Sequence, residues 1–306
     1  MDPFIRFGMA LSIGVAAPAA AETLTVPVGR PAVSDAVAAL DTISIQQFGG
    51  RDGAAAAVAI EDALRAAGPD GRPWLRVVPA GVKADVKGGL YGSVESDIKI
   101  SSRYQKTKEE CRDRDKDGNC TAKETRKIDC KYEQLTLRPT LRLTDAAGAL
   151  LYSDEKAMTD TRQSCADGVQ PDWSRVRRKL VAELVERTVA ALTPALMRQN
   201  IRVMENRRGL DKTAATAFKD ALRLTKRDQE GACRVWRTMG ADSGNQPSVA
   251  FNIGLCAEHD GDLETARRQY ERVANMTAGR GEANEGLRRI DDTIRANRQF
   301  AARTGG

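Results

Sequence analysis

Two periodicities divide the chain. Up to about residue 200, short alternating runs that read as strands are interleaved with two helical stretches, and beyond about residue 210 the apolar positions recur only at helical spacing. DTISIQQF (41–48) alternates around Ile43 and Ile45, as a half-buried strand does, and Gly49 and Gly50 end it. DGAAAAVAIEDALRAA (52–67) is an alanine-rich helix with Val58, Ile60 and Leu64 toward one side and GPDGRP as its stop. Residues 74–78 form a second, short strand and residues 86–102 a third, whose early glycines allow a bulge or close backbone approach. LTLRPTLRL (135–143) spaces Leu135, Leu137, Leu141 and Leu143 at a period of two, so one face is buried; Pro139 shares that parity and predicts an edge position or a bulge. The turn DAAG (145–148) joins this strand to LLYSDEKAM as a hairpin. Asp172 caps a helix over 173–192 whose stripe is Val176, Leu180, Leu184 and Val185, and Thr193 with Pro194 closes it. Strand, helix, three or four strands, helix is the order of an α+β domain: a small mixed sheet with two helices packed on one face.

The second region reads differently. In NIGLCAEHDGDLETARRQYERVA (252–274), Gly254, Gly261, Ala266 and Tyr270 stand at the small and aromatic positions of a tetratricopeptide unit, where small residues let paired helices approach and the aromatic fills the gap. FKDALRLTKRDQEGACRVWRTM is a weaker copy, with Ala232 and Trp236 repeating the four-residue step. About two units fall short of the three such arrays need, so residues 282–301, with Leu287, Ile290 and Ile294, are the candidate cap. The predicted second domain, 210–306, is an all-α tetratricopeptide-like array of helical hairpins. Its concave face suits a partner peptide or helix, and Arg223, Lys226 and Arg227 make the first unit basic, as an acidic partner would require.

Composition adds a compartment. The first 21 residues carry Arg6, an apolar run from Phe7 to Ala17, and Ala19-Ala20-Ala21 before Glu22, the layout of a cleaved secretory signal. The apolar run is shorter than the roughly 20 residues of a membrane span, and no other segment is apolar enough to cross a bilayer. The predicted division is therefore signal peptide 1–21, α+β domain 22–200 and helical domain 210–306, in a periplasmic protein. Six cysteines in an oxidising compartment read as disulfides. Zinc is disfavoured, because no pair has the C-x2-C spacing and His259 is the only histidine. Cys111–Cys120, Cys130–Cys165 and Cys233–Cys256 are the preferred bridges, although the four cysteines of the first half admit three connectivities.

Taken together, GGLYGSVESDIKI, the cysteine-bounded charged hairpin, LRLTDAAGALLYSDE, the helix ending in LTP and the C-terminal FNIGLCAEHDGDLETARRQYERV resemble bacterial envelope proteins of the curli-secretion-channel-like type. The α+β domain is similar to the N-terminal domain of TolB and to the lipoprotein activators of peptidoglycan synthases. The resemblance implies a non-enzymatic assembly or adaptor role in the envelope. The chain departs from the channel-forming members in lacking the lipoprotein cysteine and long amphipathic strands for a barrel, and no functional residue carries over.

Chemistry is sparse otherwise. There is no G-x-S-x-G elbow, Walker loop or dinucleotide fingerprint, and His259 reads as an exposed structural residue beside the Asp260-Gly261 turn. The expectation is therefore a protein that is not an enzyme, with a periplasmic hydrolase as the remote alternative. The net charge of +6 and the basic run Arg175 to Lys179 allow contact with a membrane surface, but export separates the protein from nucleic acid. One motif stands out. DRDKDGNCTAKE (113–124) meets the calcium-loop pattern, with Asp113, Asp115, Asp117, Asn119 and Glu124 as the ligand set and Gly118 at the turn. Against calcium stand Cys120 at the aliphatic position, the lack of a second loop and flanks that read as strands. The preferred reading is a projecting hairpin tip, flanked by strands of about ten residues and stapled by Cys111–Cys120, a calcium-binding protein being the alternative; so short a staple contributes about 2–3 kcal/mol.

Overall fold

The computed structural model describes residues 22–79, 81–82 and 84–304; the predicted signal segment lies outside them. In chain order the elements are β1 (Thr23–Arg30), α1 (Asp35–Ala38), β2 (Thr42–Ile45), α2 (Gly53–Ala66), a 3-10 turn (Pro69–Gly71), β3 (Arg76–Pro79), β4 (Gly88–Arg114), β5 (Cys120–Asp145), β6 (Leu150–Asp154), β7 (Met158–Cys165), α3 (Trp173–Leu192), β8 (Ala195–Arg202), α4 (Lys212–Leu224), α5 (Gln229–Ser243), α6 (Pro247–His259), α7 (Leu263–Ala274) and α8 (Arg280–Thr304). They fall into two compact units: residues 27–197 with 288–304, and residues 22–26 with 198–287. The boundary thus runs inside α8. The predicted domain 210–306 differs from this, because the last part of α8 belongs with the sheet.

In the sheet unit, β3-β2-β4-β5-β6 form a mixed sheet, to which β7 adds on β5. β2 is parallel to β3 and β4, and the remaining pairings are antiparallel. Six strands stand where the pattern predicts four or five. One face carries Leu90, Val94, Leu135, Leu137, Leu141 and Leu143, all fully buried with Ile60 and Leu64 of α2 and Leu180 and Leu184 of α3 in one core. Burying each such side chain contributes about 1.5–3 kcal/mol. Val58, placed on the buried side of α2 by the sequence, is 60% exposed; Ala56 and Ala57 take that side instead, letting the helix lie close to its neighbours. Arg177 fixes α3 by pairing with buried Asp52 at 3.4 Å and donating to Ser96 Oγ at 3.1 Å.

Two backbone details position the long strands. Gly92 has φ +152°, and a Cβ there would lie 1.9 Å from the Thr140 carbonyl oxygen, so no side chain fits where β4 crosses β5. Pro139 is opposite Val94 in the body of β5, with no bulge, and the edge it predicts is a local one. On its other side β5 is locally without a partner, since β7 pairing stops at Leu137 and β6 pairing starts at Leu141. The missing N–H is tolerated there. The end of α8 closes the unit: Gln299 accepts from Ala32 N at 2.8 Å, and Arg303 donates to the Ala38 and Leu40 carbonyls while lying 4.3 Å over the Trp74 ring.

The helical unit is built from α4 to α7 and the start of α8, each helix following the last through a short turn. Tyr270 is its fully buried pivot, and Cβ atoms at Gly254 and Gly286 would approach its ring to 2.8 and 2.7 Å. Small residues on two helices are therefore required by one ring. The hydroxyl donates to Glu258 Oε2 at 2.7 Å. Asn252 holds the incoming chain, accepting from Met204 N and donating to Met204 O at 2.9 and 3.0 Å.

Candidate functional site

β4 and β5 are 27 and 26 residues long, continuous strands that run well past the flanks of about ten residues expected for the hairpin. Their outer stretch, residues 101–127, projects as an arm with no fully buried residue. It holds nine Lys or Arg and six Asp or Glu, a basic ribbon. A two-stranded ribbon without an apolar face is marginal in water, so its order needs another source. Two disulfides provide it. Cys130 and Cys165 are directly opposite on β5 and β7, with Cα atoms 4.0 Å apart, and pin the root. Cys111–Cys120, Cα atoms 5.6 Å apart, closes the far end. The third bridge, Cys233–Cys256, joins α5 to α6.

The tip is a turn over Asp115–Asn119, closed by the Asp115 N–H donating to the Asn119 carbonyl at 2.9 Å, with Gly118 at φ +85°. Asp115 Oδ1 accepts from the N–H groups of Asp117 and Asn119 at 2.9 and 2.8 Å, and Oδ2 accepts from the Asn119 amide at 3.2 Å. The Asn119 backbone N–H above all holds the Asp115 carboxyl below its ordinary value. Asp113 is paired with Arg112 at 3.0 Å, and Glu124 lies across the ladder from Glu110. The five residues of the calcium reading thus lie along a hairpin tip tied by its own local bonds, and among the described residues no group of three or more metal-ligating side chains comes together. An EF-hand relies on flanking helices to aim its ligands, and here both flanks are strands.

At the root of the arm the buried face of β5 changes. Leu137, Leu135 and Glu133 are buried on the core side, whereas Cys130 and Ile128 are buried on the other. That second face is a small satellite cluster: Tyr104 stacks on Tyr132 at 5.6 Å beside the Cys130–Cys165 bridge, and Gln163 donates to the Tyr104 hydroxyl. Asp167, in the turn after β7, takes Lys106 and Lys108 at 3.3 and 3.8 Å. On the core-side face the switch leaves a groove of about 670 Å³, lined by Ile100, Arg103, Gln105, Asp129, Lys131 and Gln170 among others. Arg103 and Lys131 are directly opposite in register. Nothing in the sequence pattern points to this groove.

The basic residues singled out in the helical unit are largely spent within the chain. Arg223 pairs with Asp220 at 3.0 Å and Lys226 with Glu22 at 3.1 Å, while Arg227 is exposed. Such exposed pairs contribute little. His259 is half-buried, where the sequence predicts exposure: its Nδ1 lies 2.7 Å from the Thr25 carbonyl, so it ties the end of α6 to β1.

The molecule is thus a mixed α/β protein with three disulfides that fit an extracytoplasmic compartment, and no helix among the described residues is long and apolar enough to cross a membrane. No family model matches the chain, and no curated protein matches it. Among solved structures it is similar to a PelC dodecamer from Paraburkholderia phytofirmans, at 16% identity and a TM-score of 0.25, over 56% of this chain and 97% of that one.

Proposed function

We propose that the protein is a non-enzymatic adaptor or assembly protein of the bacterial envelope, and that the β4–β5 arm is its contact element toward a protein partner. The observation that carries the reading is the double pinning of a ribbon that buries nothing. Ordering each backbone residue costs about 1–2 kcal/mol, and residues 101–127 bury no side chain to offset it within the monomer. A structure held rigid without a core of its own is suited to presenting a surface. Its charges support the same reading. Lys108 faces Arg126 and, two rungs further, Glu110 faces Glu124; Lys108 and Glu110 offset each other at 3.1 Å, which leaves Arg126 and Glu124, with no ion pair among the described residues, to meet an opposing charge pattern. The envelope setting rests on the sequence resemblance and on the disulfides. Within this reading α4 to α7 are tetratricopeptide-type hairpins, supported by the packing of Gly254 and Gly286 on Tyr270.

Site-specific photo-crosslinking tests it. A photoreactive residue at Thr107 or Thr125 should capture a discrete protein in intact cells, and the same residue at the exposed Val58 of α2 should not. Capture from all three positions alike, or from Val58 alone, refutes the arm as the contact element.

A further inference from the structure

We infer that the groove at the root of the arm is a binding site for an acidic saccharide, a sugar residue carrying one carboxylate. Its volume of about 670 Å³ is that of a small-ligand site, which ordinarily spans about 300–1,000 Å³. Its lining supplies the groups that such a ligand requires. Arg103 is exposed and has no ion pair among the described residues, so its guanidinium is free to take a carboxylate in a two-pronged contact. Lys131 stands directly across the ladder from it and is shared with Glu133 at 3.0 Å. Two cations placed opposite one another repel, and an anion between them removes the repulsion.

The remaining polar groups select against a bare anion. Gln105 Nε2 donates to Asp129 Oδ1 at 2.8 Å, leaving its own carbonyl oxygen and the second carboxylate oxygen as acceptors for hydroxyl groups. Glu133 is already engaged by Ser164 Oγ at 3.1 Å and by Lys131, and with the Asp129 carboxylate it offsets the charges of Arg103 and Lys131, so charge alone does not hold the ligand. Ile100, 42% exposed, offers an apolar patch against which the carbon face of a sugar ring can lie. A cation unpaired among the described residues, several acceptors and an apolar patch describe a polyhydroxylated ligand that presents one carboxylate to the groove, as one residue of a uronate chain does. The register makes this possible: the irregularity between Ile100 and Ser102 sets Arg103 on the same face as Lys131 and Ile100. This site stands independently of the partner reading, since it lies where the arm leaves the sheet, at Arg103 and Gln105, and not along the ribbon from Thr107 to Thr125.

Calorimetric titration of the oxidised full chain with trigalacturonate, at low and at physiological salt, is the test. Binding is expected, weakened at least tenfold by Arg103→Gln, and unchanged by Arg112→Gln, which removes the same charge from the tip. Maltotriose, triglutamate and inorganic phosphate are the comparison ligands, each expected to bind at least tenfold more weakly. Equal binding of triglutamate would make the site a peptide site, equal binding of phosphate a simple anion site and equal binding of maltotriose a neutral-sugar site; each overturns the proposal. So does the absence of trigalacturonate binding at millimolar concentration, or an equal loss in the Arg103→Gln and Arg112→Gln variants. Thermal melts confirm that both variants fold, and Arg103→Lys, which keeps the charge and loses the planar fork, should fall between the parent and Arg103→Gln.

Discussion

The inner and outer halves of β4 and β5 are one ladder held in two ways. From Gly88 to Ile98 and from Leu135 to Asp145 the strands alternate buried and exposed side chains beneath α2 and α3. Beyond Ser101 and before Ile128 the same backbone pairing continues with both faces in water. Backbone hydrogen bonds are common to the two halves, so they do not account for the difference in what keeps each one folded. The inner half is ordered by apolar burial that only forms when the whole unit folds. The outer half is ordered by bridges at its two ends, by local ion pairs such as Lys123 with Glu109 at 3.3 Å, and by the turn. Strand length therefore says little about stability, and the location of the covalent links says where a surface can be held out rigidly without a core.

The largest effect that separates the halves comes from removing a core leucine. Leu137 is fully buried, and Leu137→Ala should destabilise the sheet unit by about 2–5 kcal/mol in urea denaturation. Thr125→Ala on the arm should stay within about 0.5 kcal/mol of the parent. Equal losses from the two would mean that the arm is part of the cooperative core.

Removing the bridges comes next in size and reverses the order of sensitivity. Cys130 and Cys165 are 35 residues apart and Cys111 and Cys120 nine, so chain entropy assigns about 3–4 kcal/mol to the first and about 2–3 kcal/mol to the second. The sharper readout is local. Replacing Cys130 and Cys165 by alanine should speed amide exchange along the arm from Arg103 to Cys111 while the amides of Leu90 and Val94 stay protected. Replacing Cys111 and Cys120 should loosen only the residues near the tip. Uniform acceleration through the inner strands in either variant would show that the two halves open together.

How far the sequence discloses these halves follows from the same contrast. Leu135 to Leu143 announces itself because one face is buried, and α3 is readable to the residue because Asp172 accepts from Arg175 N at 3.0 Å and Thr193-Pro194 stops the helix. The arm has no such alternation, since period two disappears when neither face is buried, and SSRYQKTKEEC shows only a charged stretch that continues a strand. β7 (MTDTRQSC) and β8 (ALMRQNIR) are mostly exposed, so neither carries a readable signal; β1 does alternate, with Leu24, Val26 and Val28 buried, and only Pro27 within it argues against a strand. On α2 large side chains mislead: Val58 faces out, and alanines make the close contact. The groove is beyond reach for a geometric reason. Arg103 and Lys131 are brought together by the hairpin register and by one irregularity in β4, neither of which leaves a local mark in the sequence.

The smallest effect concerns the tip alone. Because backbone N–H donors favour the charged form of Asp115, its carboxyl titrates below the ordinary aspartate value of 3.8. The turn is therefore supported in full above that value and loses support as pH falls through the lower, folded value. Carboxyl-carbon NMR should show a midpoint for Asp115 below 3.8, and the amide signals of Asp117 and Asn119 should move with that midpoint, since both donate to its Oδ1. Asp115→Asn keeps an acceptor oxygen in the same place but cannot titrate, so the turn should persist and the amide shifts lose their pH dependence. The Leu137 amide, deep in the inner half, should not respond over this range. Because Cys111–Cys120 holds the strand ends together whatever the charge on Asp115, acid should relax the turn without unzipping the arm. A midpoint at or above 3.8, or a response that spreads to Leu137, would mean that the tip is not held by its own local bonds and that the outer half is not locally stabilised after all.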